Sequence, residues 1–329
     1  MTIPPQRHLF DIPDDIAWFN TAYMSAQLRA ATLAGQAGIA RKARPWTIPP
    51  ADFFTLTEEA RAAFASLIGA TADDIAIVPS ASYGLEIAAR ALPLGPGRRI
   101  LVLEAEFPSN IYPWRRAAAA AGAEVETVPA PADGDWTRAV LDRLGPRHAL
   151  LAVPNCHWAD GGLLDLVAIG AAARSGGAAL ALDLTQSAGA LPISVAQVQP
   201  DFLVAACYKW LLGPYSLGFL YVAPCWQQAE PLEEGWASRE GAEDFAGLTS
   251  YRDAYQPGAR RFDMGERSNF ALLPVALAAL AQIAEWTPAA IAATLAGINA
   301  RIVEEVATLG LAAAPGAVRS PHLLGLALP

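Results

Sequence analysis

Cysteine is scarce in this 329-residue chain. There are three, Cys156, Cys207 and Cys225, and they form neither a CxxC pair nor an even framework. A disulfide-stapled fold is therefore excluded, no metal site is expected, and a reducing, cytoplasmic setting fits best. Positive charge is also in the minority: 23 Lys and Arg stand against 32 Asp and Glu, a formal net charge of −9. That disfavours nucleic acid as a partner. Apolar stretches such as the Ala-rich run 117–123 are interrupted by Asp, Arg, Gly or Pro well before 18 residues, so no membrane span is expected. The opening MTIPPQRHLFDIPDD lacks the basic-then-apolar pattern of a secretory signal. Neither a GxGxxG after an early strand nor a GxSxG is present, which removes a nicotinamide dehydrogenase and an α/β hydrolase.

What the chain does have is apolar bulk. Hydrophobic residues are 53% of it, enough to offset the chain entropy lost on folding. Short apolar runs at 75–79, 99–103, 149–153, 179–182, 202–205 and 218–222 read as buried strands. Helix-forming stretches at 83–92, 114–121, 136–144 and 167–174 lie between them. Such alternation, with strands apolar on both faces, predicts a mostly parallel α/β sheet covered by helices. Its ligand site is expected beyond the carboxyl ends of the strands. From 224 to 261 the sequence is loop-like; helices follow at 272–286 and 288–309, then a strand-like run at 323–328. The division expected is a large unit over 1–265 and the start of a smaller one over 266–329.

Three constellations carry chemistry. In ALALDLTQSAG, 179–189, a buried strand ends in Asp183 and Gln186 follows three residues later. A carboxylate there is costly unless paired, and the poor helix signal after it weakens a capping explanation. In DFLVAACYKWLLG, 201–213, Lys209 sits inside an apolar run. An amine so placed is a better nucleophile because its charged form is disfavoured, although a lysine snorkelling from a loop is the commoner case. In IVPSASYGLEIAARAL, 77–92, small polar residues between a strand and a helix offer an anion cradle, or simply a helix cap from Ser80 or Ser82.

Together these segments resemble the class V aminotransferase family of fold type I enzymes that depend on pyridoxal 5'-phosphate. Cysteine desulfurases, kynureninases and isopenicillin N epimerases belong to that group. The resemblance runs over about residues 15–285 and is most specific in CYKWLLGPYSLGFLYV, 207–222, and then in DLTQSAGALPI. It implies a three-layer large domain with a mostly parallel sheet and a small C-terminal α/β domain, of which this chain carries only the beginning. Lys209 is then the residue that forms the Schiff base (aldimine) with the cofactor and moves the Cα proton. Asp183 pairs with the pyridine nitrogen and Gln186 with the phenolic oxygen. Ala81 and Ser82 hold the phosphate, joined by Tyr208, while Ala206 lacks the hydroxyl of several relatives. Phe107, in EFPSNIYPWR, stacks on the ring. Trp158, in VPNCHWADGG, stands where relatives often carry an Asn, with Asn155 and His157 nearby.

The resemblance also places Asn20 and Tyr23 at the substrate entrance. It assigns MGERSNF, 264–270, to a loop given to a partner subunit, with Ser268 or Asn269 reaching the phosphate across a homodimer. Trp46, Phe53 and Phe54 read as packing or dimer contact. The expected substrate is an amino acid, and aminotransferase-type chemistry is favoured. A lyase or an epimerase is the alternative; nothing resembles the mobile Cys loop that desulfuration needs. A catalytically impaired or truncated relative is the remaining alternative, because the Arg that grips the substrate carboxylate in relatives lies in a region that this chain does not reach, and Arg319 is too early for it.

Overall fold

The computed structural model describes residues 2–327. Two helices come first, α1 (Arg29–Lys42) and α2 (Asp52–Ile68). The alternating part follows as β1 (Ile75–Val78), α3 (Ala81–Ala91), β2 (Arg99–Leu103), α4 (Tyr112–Ala121), β3 (Glu124–Val128), α5 (Trp136–Arg143), β4 (His148–Pro154), α6 (Leu166–Ser175), β5 (Ala179–Asp183), α7 (Val195–Val198), β6 (Phe202–Ala206) and β7 (Gly218–Val222). Beyond a long looped stretch lie α8 (Leu272–Trp286) and α9 (Pro288–Ala307).

The seven strands form one sheet in the order β1-β7-β6-β5-β4-β2-β3. All neighbours are parallel except β7, which runs against both β6 and β1. Strands β1, β4, β5, β6 and β7 are buried almost throughout, as expected of a sheet covered on both faces. One core on one face joins α2, α5, α6 and α8 through Phe64, Trp136, Ile169 and Ile283. The core on the other face joins α3 and α4 through Leu85, Ile87 and Trp114. The result is three layers, helix on sheet on helix.

Differences from the sequence reading have physical causes. Strand β3, EVETV, was not among the expected strands: it is the sheet's edge, with Glu124 and Thr127 exposed and Val125 and Glu126 half-buried, so it carries no apolar run. The run 323–328 does not form a strand among the described residues. Ala327 makes a single isolated bridge to Ala312, and Leu328 lies outside the described residues. The stretch from 266 onward contributes α8 to the main core, where it also packs on α1. That contact is close: a Cβ on Gly38 would stand 2.0 Å from the Phe270 carbonyl oxygen. No single helix among the described residues is long and apolar enough to cross a membrane.

A buried ionic clamp closes the outer edge of β1. Asp263 accepts from the Arg61 guanidinium and, at 2.8 Å, from the Ile77 N–H, while Arg267 Nε lies 3.0 Å from it. Arg61 also donates to the Ile75 carbonyl. Replacing one member leaves the others charged and unpaired in a dry interior. Asp263→Ala is expected to lower unfolding free energy by about 3–5 kcal/mol in a denaturant titration. A loss no greater than that of an exposed charge, roughly 0–1 kcal/mol, would show the clamp to be dispensable.

Candidate active site

Strands β1, β2, β4, β5 and β6 all end on one edge of the sheet, and antiparallel β7 enters there. The turns at that edge enclose a cavity of about 300 Å³. Ser80 follows β1 and caps α3, its Oγ accepting from Tyr83 N–H at 3.2 Å. The capping explanation for Ser80 therefore holds. Ser82 Oγ lies 2.9 Å from Ser80 Oγ, and Ala81 and Ser82 both line the cavity at the first turn of α3. The helix dipole and the first-turn N–H groups make this wall suited to an anion.

Asp183 ends β5 inside the same cavity, 8% exposed, with Oδ1 accepting from Thr185 N–H at 3.0 Å. Burial pushes its carboxyl above the usual range; the Thr185 hydrogen bonds and the charge of Lys209 oppose this. Lys209 is 6% exposed and lies in the turn after β6. Burial lowers its pKa, partly countered by Asp183, so the free amine is favoured over the ammonium more than in water. Its Nζ stands 5.3 Å from the centre of the Phe107 ring and 5.6 Å from that of Tyr208. The loop is held at its base by Cys207 N–H on the Leu217 carbonyl and Gly213 N–H on the Cys207 carbonyl, both at 2.9 Å. Leu212 and Ser216 take φ values of 53° and 65°, an uncommon conformation that clusters at sites where neighbours over-determine the backbone.

The turn after β2 carries Phe107 and is pinned from the loop after β4. Trp158 Nε1 donates to the Ala105 carbonyl at 2.7 Å, and His157 Nε2 to the Glu104 carbonyl at 3.1 Å. Ala105 itself has φ 52°. The Trp158 ring meets Phe107 edge-on, with centres 5.5 Å apart. His157 Nδ1 is 2.9 Å from Asp160 Oδ1. Burial disfavours the imidazolium, but Asp160, Glu106 and the Glu104 carbonyl outweigh it and raise the His157 pKa.

Of the residues singled out from sequence, Ala81, Ser82, Phe107, Trp158, Asp183, Gln186, Tyr208 and Lys209 meet at this cavity. Gln186 is tied on both sides: Nε2 donates to the Ala22 carbonyl and Oε1 accepts from Trp210 Nε1, each at 2.9 Å. Asn20 and Tyr23 line an adjoining outer pocket with Phe107, Trp158 and Tyr208. Ser268 is not brought to the cavity in this chain; its hydroxyl donates to the Phe53 carbonyl at 2.6 Å. Asn269 Oδ1 accepts from the Ala271 and Leu272 N–H groups where α8 begins, Asn155 donates to the Leu164 carbonyl, and Arg319 donates to the Ala314 carbonyl. Sequence reasoning missed Glu106, which lines the cavity and is buried. Its signal was the one that marked Asp183: an acid shortly after a buried strand.

A buried amine and a buried acid thus share one cavity with a helix N-terminus, at the carboxyl edge of an open α/β sheet. The chain belongs to the Aminotransferase class-V family, whose model matches residues 49–310. It is 34% identical over 211 residues to an uncharacterized aminotransferase, YcbU, of Bacillus subtilis, covering 64% of this chain and 54% of that protein. It is 32% identical over 272 residues to a kynureninase of Deinococcus radiodurans, covering 79% and 64%. With an isopenicillin N epimerase of Streptomyces clavuligerus it shares 28% over 228 residues, covering 65% and 56%. The chain thus spans between about half and two thirds of the length of these curated relatives. The fold matches that of a cysteine desulfurase from Thermococcus onnurineus with a TM-score of 0.80 at 20% identity, covering 98% of this chain and 82% of that one.

The His157–Asp160 pair gives a pH signature. A histidine whose folded pKa is raised stabilises below its unfolded value and loses that contribution as pH rises through the folded one. Thermal unfolding of the wild type and Asp160→Asn should therefore differ most below the ordinary histidine value of 6.5, and the gap should narrow as pH rises past it. A gap constant with pH would show that the pair carries no charge.

Proposed function

We propose that the cavity holds pyridoxal 5'-phosphate and that the protein acts on an amino acid, with aminotransferase-type chemistry. The observation that carries this is the joint placement of Lys209 and Asp183 in one buried cavity against the N-terminus of α3. The donor set suits the cofactor. Ala81 and Ser82, at the first turn of α3, would present N–H groups to its phosphate, and Ser82 and Tyr208 bring hydroxyl-bearing side chains to the same cavity. Ala206 contributes no hydroxyl there. Phe107 offers a ring face that excludes water and fixes tilt.

When bound, the cofactor serves as an electron sink for a carbanion at the substrate's Cα. The protein's part is binding and proton placement. Lys209, whose amine burial shifts toward its uncharged form, would be the point of covalent attachment and afterwards the base that takes the Cα proton and returns it. Asp183, ionised against a cationic partner, keeps the ring nitrogen protonated. Gln186 spends one amide hydrogen on Ala22, leaving the second for the ring's hydroxyl oxygen, beside Trp158. Tyr23 and Asn20 border the entrance. The working unit we infer is a homodimer in which Ser268 faces the neighbouring copy's phosphate region. Exposed apolar side chains on and after α1, Leu33, Ile39 and Trp46, are consistent with a covered surface. A lyase or an epimerase is the second reading, favoured by the kynureninase and isopenicillin N epimerase among the relatives.

Pyridoxal phosphate added to the purified protein should give the visible absorption band of a lysine-linked cofactor, and Lys209→Ala should lose it. The same variant should reduce amino-acid turnover by at least about 10²-fold. No band in the wild type, or an unchanged band in the variant, would overturn the reading. A panel of amino acids then separates the reactions: keto acid for transamination, ammonia, sulfide or a cleaved side chain for a lyase, inverted configuration for an epimerase.

A further inference from the structure

The cavity adjoins an outer pocket of about 490 Å³, and the two spaces meet at Lys209, which lines both. Five aromatic side chains border the outer pocket: Tyr23, Phe107, Trp158, Tyr208 and Tyr215. Tyr23 and Tyr215 are each 64% exposed and Trp158 39%, so much ring surface is open to contact there. Apolar surface gathered at the mouth of a cavity marks a place where a ligand is covered.

These rings are held in place by hydrogen bonds of their own segments. The Ala22 carbonyl accepts from Gln186 Nε2 at 2.9 Å, and Ser25 N–H donates to the Tyr208 carbonyl at 3.0 Å. Tyr23, between them, is thus fastened on both sides to residues of the site. Trp158 Nε1 is spent on the Ala105 carbonyl at 2.7 Å, so this side chain offers a ring and no free donor. Tyr208 and Tyr215 pack with ring centres 4.7 Å apart. Walls already ordered in this way reduce what must be immobilised when a ligand arrives.

Charge is what the outer pocket lacks. Asp183 and Glu106 line the inner cavity and not the outer pocket, where Lys209 is the one Lys, Arg, Asp or Glu among the described residues. Attachment of the cofactor would use that amine. An acidic side chain entering the pocket would then meet no cation and a basic one no carboxylate, each giving up water without a partner. A flat ring would gain edge and face contacts instead. We propose that the substrate is an amino acid with a large, uncharged aromatic side chain, housed in the outer pocket, and that Tyr23 and Trp158 select it. The inference rests on the reading of the inner cavity as a pyridoxal phosphate site, and it holds whichever reaction follows at Cα.

The test uses the protein loaded with pyridoxal phosphate. Phenylalanine, tyrosine and tryptophan should perturb its visible band at concentrations about threefold or more below leucine, and about tenfold or more below aspartate, glutamate or lysine. A second readout needs no turnover. The free acid 3-phenylpropanoate, which has no amine to react, should alter tryptophan fluorescence at concentrations about tenfold below glutarate. Tyr23→Ala and Trp158→Ala should each cut the preference for phenylalanine over alanine by roughly three- to tenfold, and Tyr23→Phe should keep it. Leucine or a charged amino acid as effective as phenylalanine, silence toward all of them, or an undiminished preference in either alanine variant would overturn the proposal. If the wild type gives no visible band at all, the cofactor reading falls and takes this inference with it, so the two failures are distinct.

Discussion

The outer edge of β1 is the constraint on which the site depends. This strand is the first in the sheet order, so one row of its backbone groups has no strand to meet. The chain at 263–264 supplies what is missing. Asp263 accepts the Ile77 N–H, Met264 N–H donates to the Ile77 carbonyl at 2.8 Å, and Arg61 reaches from α2 to the Ile75 carbonyl. The clamp therefore ties together three pieces far apart in sequence. It holds β1 at the position from which Ser80, Ala81 and Ser82 are delivered to the cavity. An anion cradle made of backbone N–H groups is only as well placed as the strand and helix that carry it.

Inside the cavity the same physics acts on acids and amine in opposite directions. Desolvation raises the pKa of Asp183 and Glu106 and lowers that of Lys209, so each group is pushed toward its neutral form. Charge separation between Asp183 and Lys209 partly restores the ionised forms. A ligand that brings its own cation to Asp183 and its own anion to α3 would shift this balance at each wall separately. The two carboxyls have different partners, Asp183 held by the Thr185 N–H and Glu106 by the Phe107 N–H.

Much of this was legible in the sequence because burial on both faces of a sheet writes itself as continuous apolar runs. The runs at 149–153, 179–182, 202–205 and 218–222 mark β4 to β7 within a residue or two. The lysine and Asp183 stood out because charge inside such runs is anomalous. Strand β3 was illegible for the complementary reason: at an edge it can carry glutamates, both paired with Arg99, in place of an apolar run. Glu106 escaped because a single acid in a turn is ordinary text until its partners are known. Ser268 illustrates the opposite limit. Its distance from the cavity within one chain says nothing about a neighbouring copy, and no local pattern encodes that.

The stretch around 320–323, expected to belong to a second unit, packs against the loops behind the cavity. Ser320 N–H donates to the Gly161 carbonyl at 2.8 Å, and a Cβ on Gly161 would come within 2.5 Å of the Leu323 carbonyl oxygen. His322 is buried against Trp210, edge to face at 4.5 Å, and its Nε2 donates to the Gln186 carbonyl. Burial lowers its pKa to about 4, so it is neutral at physiological pH and adds no charge behind the site. Residues 320–323 therefore touch the loop that pins Phe107, the Gln186 backbone carbonyl and the residue after Lys209. A segment that packs at once behind three walls of a cavity couples their positions. A chain altered there would be expected to disturb the site without losing any group that lines it.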